Sequence, residues 1–169
     1  MTLSMYQASV PPVIHGFANL INILNKGQEY ADAKGIDPSV LLGSRLYPNM
    51  FPLLRQVQIG TDIPRRGIAR LAGVEPSKRE DNETSFQDLI DRVNDAKSYI
   101  SDFTPDQIDG SEARVIEVPL RKETMTFQGQ SFLLSFLLPN FYFHITTAYN
   151  ILRHNGVELG KGDFLGALK

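Results

Sequence analysis

Two residues whose side chains can bind ligands lie four positions apart in an otherwise apolar segment. Asn140 and His144 belong to a series with spacings of three and four residues, namely Leu133, Leu137, Asn140, His144, Thr147 and Ile151. Residues four apart lie one turn from each other on the same face of a helix. We therefore expect Asn140 and His144 to point into a helical bundle, where an imidazole can act as a metal ligand, a base or a hydrogen-bond partner.

A third polar residue is predicted to approach the same place from another helix. Gln56 lies on the flank of the apolar face of a segment that ends near Ala72, whereas Asp62 lies on the opposite side and is the poorer candidate. Pro139 is expected to kink the helix beside Asn140, because it cannot donate to the carbonyl of Ser135. These polar groups either hold a ligand or satisfy one another inside the core.

Most other reactive groups are absent or badly placed. The chain has no cysteine, which excludes disulfides, zinc fingers and a thiol nucleophile. Of its three histidines, His15 is predicted to be exposed or at a subunit contact, and His154 lies about 80° around its helix from His144. No histidine pair has the spacing of a helical metal site, and no inward-facing carboxylate pair is evident. Spacing alone therefore does not predict an acid–base or nucleophilic enzyme.

Four amphipathic segments are predicted to form the helices that position these residues. They are separated by turn residues, and β-favouring residues come between the third and fourth segments. We predict an all-α fold, a four-helix bundle with a small β-hairpin or extended insertion between the third and fourth helices, in one domain spanning residues 1–169. The expected segments are residues 4–34, 52–72, 86–100 and 130–154, with the insertion at 114–128.

Smaller features refine this outline. Thr84 and Gln87 have the spacing of a capping box before the third helix. Asp37 and Pro38 are typical of a short helix start. Residues 157–169 are rich in glycine, so we predict an irregular tail.

Composition restricts the class of protein. The chain has 169 residues, of which 42% are hydrophobic and 21% charged, and its formal net charge is −2. This mixture favours a globular protein and gives no electrostatic reason to expect nucleic acid as a partner. Basic residues dominate 45–79 and acidic residues dominate 80–109, which we interpret as solvated helix faces joined by weak salt bridges.

Membrane and export signals are not evident in the sequence. The most apolar run, residues 132–143, is interrupted by polar residues and is too short to span a bilayer. The first seven residues have neither the basic nor the apolar region of a signal peptide. We therefore expect a cytoplasmic protein with no membrane partner.

Several longer motifs resemble one bacterial family, the domain-of-unknown-function family numbered 1993. They are FPLLRQVQI at 51–59, ARLAG at 69–73, PNFYFH at 139–144, YNILRHNG at 149–156 and KGDFLG at 161–166. The family is similar to the DinB/YfiT-like superfamily of metalloenzymes. The resemblance covers nearly the whole chain and implies a DinB-type four-helix bundle that forms a homodimer.

The resemblance also implies where a metal would bind. Many members of the superfamily hold a divalent metal with three histidines, one on the second helix and two on the fourth. Gln56, Asn140 and His144 occupy those positions here. Amide oxygens are weak ligands for zinc or nickel. We therefore expect this site to be degraded and to hold no firmly bound cofactor, with a divalent metal such as Zn or Ni as the open alternative.

Three functions follow from these observations. The main hypothesis is an uncharacterised DinB-like protein that binds a small molecule in the bundle cleft. The alternative is a metal-dependent transferase, for instance of thiols, that uses His144. The further alternative is a structural or interaction module in which the amides and the histidine fix the helix register. An open pocket that reaches His144 would favour the first two, and a sealed, fully hydrogen-bonded His144 would favour the third.

Overall fold

The structure is a computed structural model that describes residues 3–119 and 123–167. Four long helices form a bundle, and each packs on two neighbours in the cyclic order α1, α4, α3, α7. These four helices are α1 Met5–Lys34, α3 Leu53–Leu71, α4 Phe86–Ser101 and α7 Leu138–His154. The predicted four-helix bundle is confirmed.

Short elements connect the long helices. Helices α2 Pro38–Gly43 and α5 Pro105–Ile108 begin at prolines, and α6 Gly129–Ser131 precedes α7. Strands β1 Val115–Pro119 and β2 Thr124–Gln128 form an antiparallel pair in which Ile116 lies opposite Phe127. The predicted hairpin therefore lies between the third and fourth long helices.

The bundle core follows the predicted apolar faces. Phe17 of α1 and Phe141 of α7 are fully buried, and their rings meet edge to face with centroids 5.4 Å apart. Helix α1 begins at the Ser4 capping box and continues through Pro11 and Pro12. None of the described helices combines the length and the apolarity that a membrane crossing requires.

Two local predictions were wrong. The capping box of α4 is formed by Ser85 and Asp88, one residue later than expected, because the Asp88 carboxylate accepts from the backbone of both Thr84 and Ser85. The tail also contains a helix, α8 Lys161–Leu165, where Asp163 accepts a hydrogen bond from the Gly160 amide.

The tail helix is fixed against α1 by polar contacts. Lys26 donates to Asp163 at 2.6 Å, and the exposed ring of His15 lies 2.6 Å from the carbonyl oxygen of Leu165. His15 is therefore exposed, as predicted, but holds a neighbouring segment of its own chain.

The helix before α7 is wound more widely than an α-helix. Residues Phe132–Leu137 form a π-helical segment between α6 and α7. Pro139 lacks an amide hydrogen for the carbonyl four residues earlier, so the regular ladder is interrupted where this segment ends. The ladder is thus interrupted by a π-helical segment that ends three residues before Asn140, and the predicted kink itself stays a prediction.

Candidate functional site

Helices α3 and α7 approach closely at the predicted polar site. A Cβ atom added to Gly60 of α3 would lie 3.3 Å from the Cβ atom of His144. Glycine at this position therefore lets α7 lie close against α3, and His144 is only 8% exposed in this contact.

Gln56 and His144 form a direct hydrogen bond in this contact. Gln56 Oε1 lies 2.7 Å from His144 Nδ1, and Gln56 Nε2 donates to the carbonyl of Phe51 at 3.1 Å. Because the amide nitrogen faces Phe51, the amide oxygen faces His144 and accepts a hydrogen bond. The arrangement places the proton of a neutral imidazole on Nδ1 and leaves Nε2 unprotonated.

Burial keeps His144 in the neutral form. Desolvation, assisted by the nearby positive charge of Arg55, lowers the pKa of His144 from 6.5 to about 4. Nε2 has no hydrogen-bond partner among the described residues, and His144 lines a cavity. At neutral pH the cavity is therefore lined by an imidazole with an unprotonated Nε2 atom. The hydrogen bond between Nδ1 and Gln56 fixes the orientation of the ring.

Asn140 lines the same cavity but has a different bonding partner. Its Nδ2 donates to the carbonyl of Phe136 at 2.7 Å, within its own helical run and beside the π-helical segment. The structure thus joins Gln56 to His144 directly, whereas Asn140 shares only the cavity with His144. Sequence spacing could not reveal this difference, because it depends on the local winding of the helix.

The cavity has a volume of about 430 Å³, which suits a small organic molecule. One wall is a stripe of α3, a second comes from the π-helical segment and α7, and β1 closes a third side. Its lining residues are Arg55, Ile59, Asp62, Ile63, Arg66, Arg70, Val118, Pro119, Phe132, Phe136, Asn140 and His144. The lining is therefore mixed, with an apolar middle and several cationic groups.

An ion-pair network centred on a buried arginine joins α4 to α3 and to the segment between them. The sequence analysis did not predict this network. Arg92 of α4 is fully buried and donates to Asp62 and Glu83, each at 2.8 Å. It also lies 3.0 Å from Asp81 and donates to Thr61 at 2.9 Å. The expectation of weak salt bridges between solvated faces was therefore wrong for this cluster.

The network holds the carboxylates of Asp81 and Glu83 in the charged form. Burial alone would raise the pKa of Glu83, but hydrogen bonds from Arg92 and Gln58 outweigh burial and lower it. Burial is likewise outweighed at Asp81, whose pKa is lowered by Arg55 and Arg92. The pKa of Arg92 is raised because Glu83, Asp62 and Asp81 together outweigh its desolvation.

One signal in the sequence could have located this network. Arg92 follows Leu89 by three residues and precedes Ala96 by four, so it lies on the buried face of α4 rather than opposite it. Asp62 likewise continues the α3 series of Arg55, Ile59 and Arg66, which makes it part of the cavity wall. The prediction that Asp62 lies away from the site was wrong for this reason.

The donor atoms at the site do not match a transition-metal centre. Gln56 Oε1 is engaged by His144 Nδ1, and Asn140 offers only a neutral amide. The Asp62 carboxylate of the lining is paired with Arg66 and Arg92, so among these groups only His144 Nε2 is left as a strong donor. Zinc sites in proteins generally use three or four such donors. Within residues 3–119 and 123–167, no group of three or more His, Asp or Glu side chains is arranged to hold a metal ion.

Comparisons with known proteins agree with the class that this fold defines, the DinB-like four-helix bundles. A solved structure of a DinB family member protein from Shewanella denitrificans is 38% identical to the chain and superposes with a TM-score of 0.86. The match covers 96% of this chain and 92% of that one. No curated protein sequence matches. The family profile described as domain of unknown function (DUF1993) matches residues 5–165, and the chain belongs to this family.

Proposed function

We propose that this DinB-like protein binds a small organic molecule in the cavity beside His144. The observation that carries the proposal is the fixed, unprotonated Nε2 atom of His144 at the cavity wall. The hydrogen bond with Gln56 fixes the ring, so Nε2 is a preorganised acceptor for a hydroxyl or N–H group of a ligand. In the structural alternative, by contrast, His144 would be sealed from the cavity and fully hydrogen-bonded.

The transferase alternative receives less support from the same geometry. A general base works best when its pKa lies near the working pH, and a pKa of about 4 leaves His144 a weak acceptor of a thiol proton. An anionic ligand would offset the positive charge of Arg55 and raise this pKa. Catalysis by His144 would therefore depend on the ligand that is bound.

Cavity-blocking variants test the binding proposal. Ile63 lines the cavity, and Ile63→Trp should fill it, whereas Ile21→Trp makes the same exchange at a partly buried position on α1 outside the cavity. A fragment library is screened against all three folded proteins by ligand-observed NMR. We expect fragments that bind the wild type and Ile21→Trp but not Ile63→Trp.

A second variant isolates the role of His144. Gln56→Leu combined with His144→Phe replaces both bonded side chains with apolar ones, which limits the loss of stability. We expect the fragments with a hydroxyl or N–H donor to lose affinity and purely apolar fragments to be retained. The proposal is overturned if no fragment binds the wild type, or if all fragments bind Ile63→Trp equally well.

We further propose a cytoplasmic bacterial homodimer without a nucleic-acid or membrane partner. Support comes from the bacterial relative and from large exposed apolar side chains near the C-terminal half of the bundle, such as Leu134 and Phe143. Light scattering of the purified protein and of a Phe143→Ser variant tests the oligomeric state, and cell fractionation tests the compartment. A monomeric wild type would contradict the homodimer.

A further inference from the structure

The cationic end of the cavity extends the proposed function toward one ligand class. Arg66 and Arg70 of α3 lie four residues apart, so both guanidinium groups reach the same edge of the cavity. Burial and the neighbouring charge of Arg66 lower the pKa of Arg70. Two partly buried like charges placed side by side are a typical environment for an anionic group.

The carboxylates nearby do not neutralise this end. Asp62 is 3.4 Å from Arg66 but already binds the buried Arg92 at 2.8 Å. Within the described residues Arg70 forms no ion pair within 4 Å, and Glu75, the acid that acts on it, is exposed. The cavity lining has three arginines and one carboxylate, but Arg55 is paired with Asp81, so the excess of positive charge lies at Arg66 and Arg70.

The helix sets the separation between this end and His144. His144 lies beside Gly60 of α3. Arg66 lies six residues after Gly60, so the two positions are separated by roughly 9 Å along the helix axis. Between the two ends the cavity is lined by Ile63 and by the ring of Phe136, which stacks on Phe132 with centroids 5.6 Å apart. The cavity therefore has a hydrogen-bond acceptor at one end, an apolar middle and two guanidinium groups at the other.

We infer that the ligand is an elongated aromatic or similarly apolar oxyanion with a hydrogen-bond donor at its far end. Its carboxylate or phosphate binds Arg66 and Arg70, its apolar body packs on Ile63 and Phe136, and its hydroxyl or N–H group donates to His144 Nε2. This inference rests on the proposed function, because it names the class of molecule that the same cavity accepts.

Three probes that differ in one group each test the anionic end. They are 3-(4-hydroxyphenyl)propionate, its uncharged primary amide, and 2-(4-hydroxyphenyl)ethyl phosphate. Isothermal titration calorimetry should show that at least one oxyanion binds. The affinity for the amide should be lower than that for this oxyanion by about 10-fold or more. The stronger of the two oxyanions distinguishes a carboxylate ligand from a phosphate ligand.

Charge variants locate the effect. The double change Arg66→Gln and Arg70→Gln should lower the affinity for the oxyanion by about 10-fold or more and change the affinity for the amide much less. Arg153→Gln removes the same type of charge from an exposed position on α7 and should have no effect.

The outcomes separate this inference from the proposed function. Equal binding of acid and amide, or unchanged binding of the acid by the double arginine variant, overturns the anionic ligand class and leaves cavity binding intact. Absence of binding by all three probes also overturns the ligand class, while the fragment screen against Ile63→Trp independently decides whether the cavity binds ligands at all.

Discussion

The hydrogen bond between Gln56 and His144 determines what the cavity can recognise. A side-chain amide can present either oxygen or nitrogen, but the bond from Gln56 Nε2 to Phe51 leaves only the oxygen for the imidazole. The histidine therefore offers its lone pair to the cavity rather than its N–H group. An acidic residue at position 56 would reverse this preference, because it would favour the imidazolium.

The Gln56→Glu variant should consequently raise the pKa of His144. A carboxylate beside Nδ1 stabilises the charged ring and opposes the effects of burial and of Arg55, which lower the pKa to about 4 in the wild type. The measurement is a pH titration of the ring nitrogens by NMR. Gln7→Glu adds the same charge at the exposed capping box of α1 and should leave the His144 titration unchanged. An unchanged pKa in Gln56→Glu would show that the hydrogen bond is not formed in solution.

Arg92 illustrates a residue whose role is set by burial. The change Arg92→Met should lower the free energy of unfolding by about 3–5 kcal/mol, because it leaves Glu83 and Asp62 without their buried partner. Adding Glu83→Gln should recover part of this loss. Urea unfolding measures both effects, and Arg153→Met at an exposed site should change stability by less than about 0.5 kcal/mol. A loss below about 1 kcal/mol for Arg92→Met would mean that the network contributes little.

These residues show where sequence reasoning succeeds and where it stops. The contact between Gln56 and His144 follows from two apolar helix faces, since each polar residue lies on or beside such a face. Asn140 also lies on such a face, but its side chain donates a hydrogen bond to the carbonyl of Phe136, four residues earlier. Arg92 was overlooked because a guanidinium is rarely fully buried, although its spacing from Leu89 marks the inner face.

At the level of elements, regular periodicity was predictable and local irregularity was not. The long helices and the hairpin follow apolar patterns and proline or glycine boundaries. The π-helical segment Phe132–Leu137 leaves only an indirect trace in the sequence, because Pro139 indicates an interrupted hydrogen-bond ladder but not how the preceding residues are wound. Helix α8 was missed because its five residues have no apolar period of their own.

The junction between the hairpin and the last helices depends on one glycine. A Cβ atom at Gly129 would lie 2.0 Å from the carbonyl oxygen of Ser111, a backbone atom that cannot move aside easily. Gln130 also donates to the carbonyl of Glu112, so the same strip of backbone fixes the start of the helical run. The close approach of two backbones explains why no side chain fits here.

Gly129→Ala should therefore destabilise the protein by about 1–3 kcal/mol, as other overpacking changes do. Gly43→Ala is the matched control, because a Cβ atom there meets nothing within 4 Å and alanine favours a helix. Thermal unfolding followed by circular dichroism compares the two variants. Equal melting temperatures would contradict the close approach of Gly129 to Ser111.

For the whole molecule, two sets of titratable groups should lower the free energy of unfolding in two stages as the pH falls. The pKa of His144 is lower in the folded protein than its ordinary 6.5, so protonation favours the unfolded chain as the pH falls below 6.5. Asp81 and Glu83 also have lowered pKa values, but their contribution is complete above their ordinary values of 3.8 and 4.5. It is lost only when the pH falls below these values. As the pH falls, protonation of the histidine therefore lowers the stability first, and protonation of the carboxylates lowers it second.

The first stage should disappear when the histidine is removed. Between pH 7 and pH 4.5, protonation of His144 is expected to cost the wild type about 2–3 kcal/mol of unfolding free energy, given a folded pKa of about 4. The double variant Gln56→Leu with His144→Phe should lose correspondingly less over this range, as measured by urea unfolding at both pH values. Glu83→Gln should show the same loss of unfolding free energy in the first stage and a smaller loss in the second. The reason is that the Glu83 carboxylate contributes to the pH dependence only at lower pH. Equal losses in the wild type and the histidine variant would mean that His144 is not held neutral by the bundle, and the acceptor at the cavity wall would then have to be reconsidered.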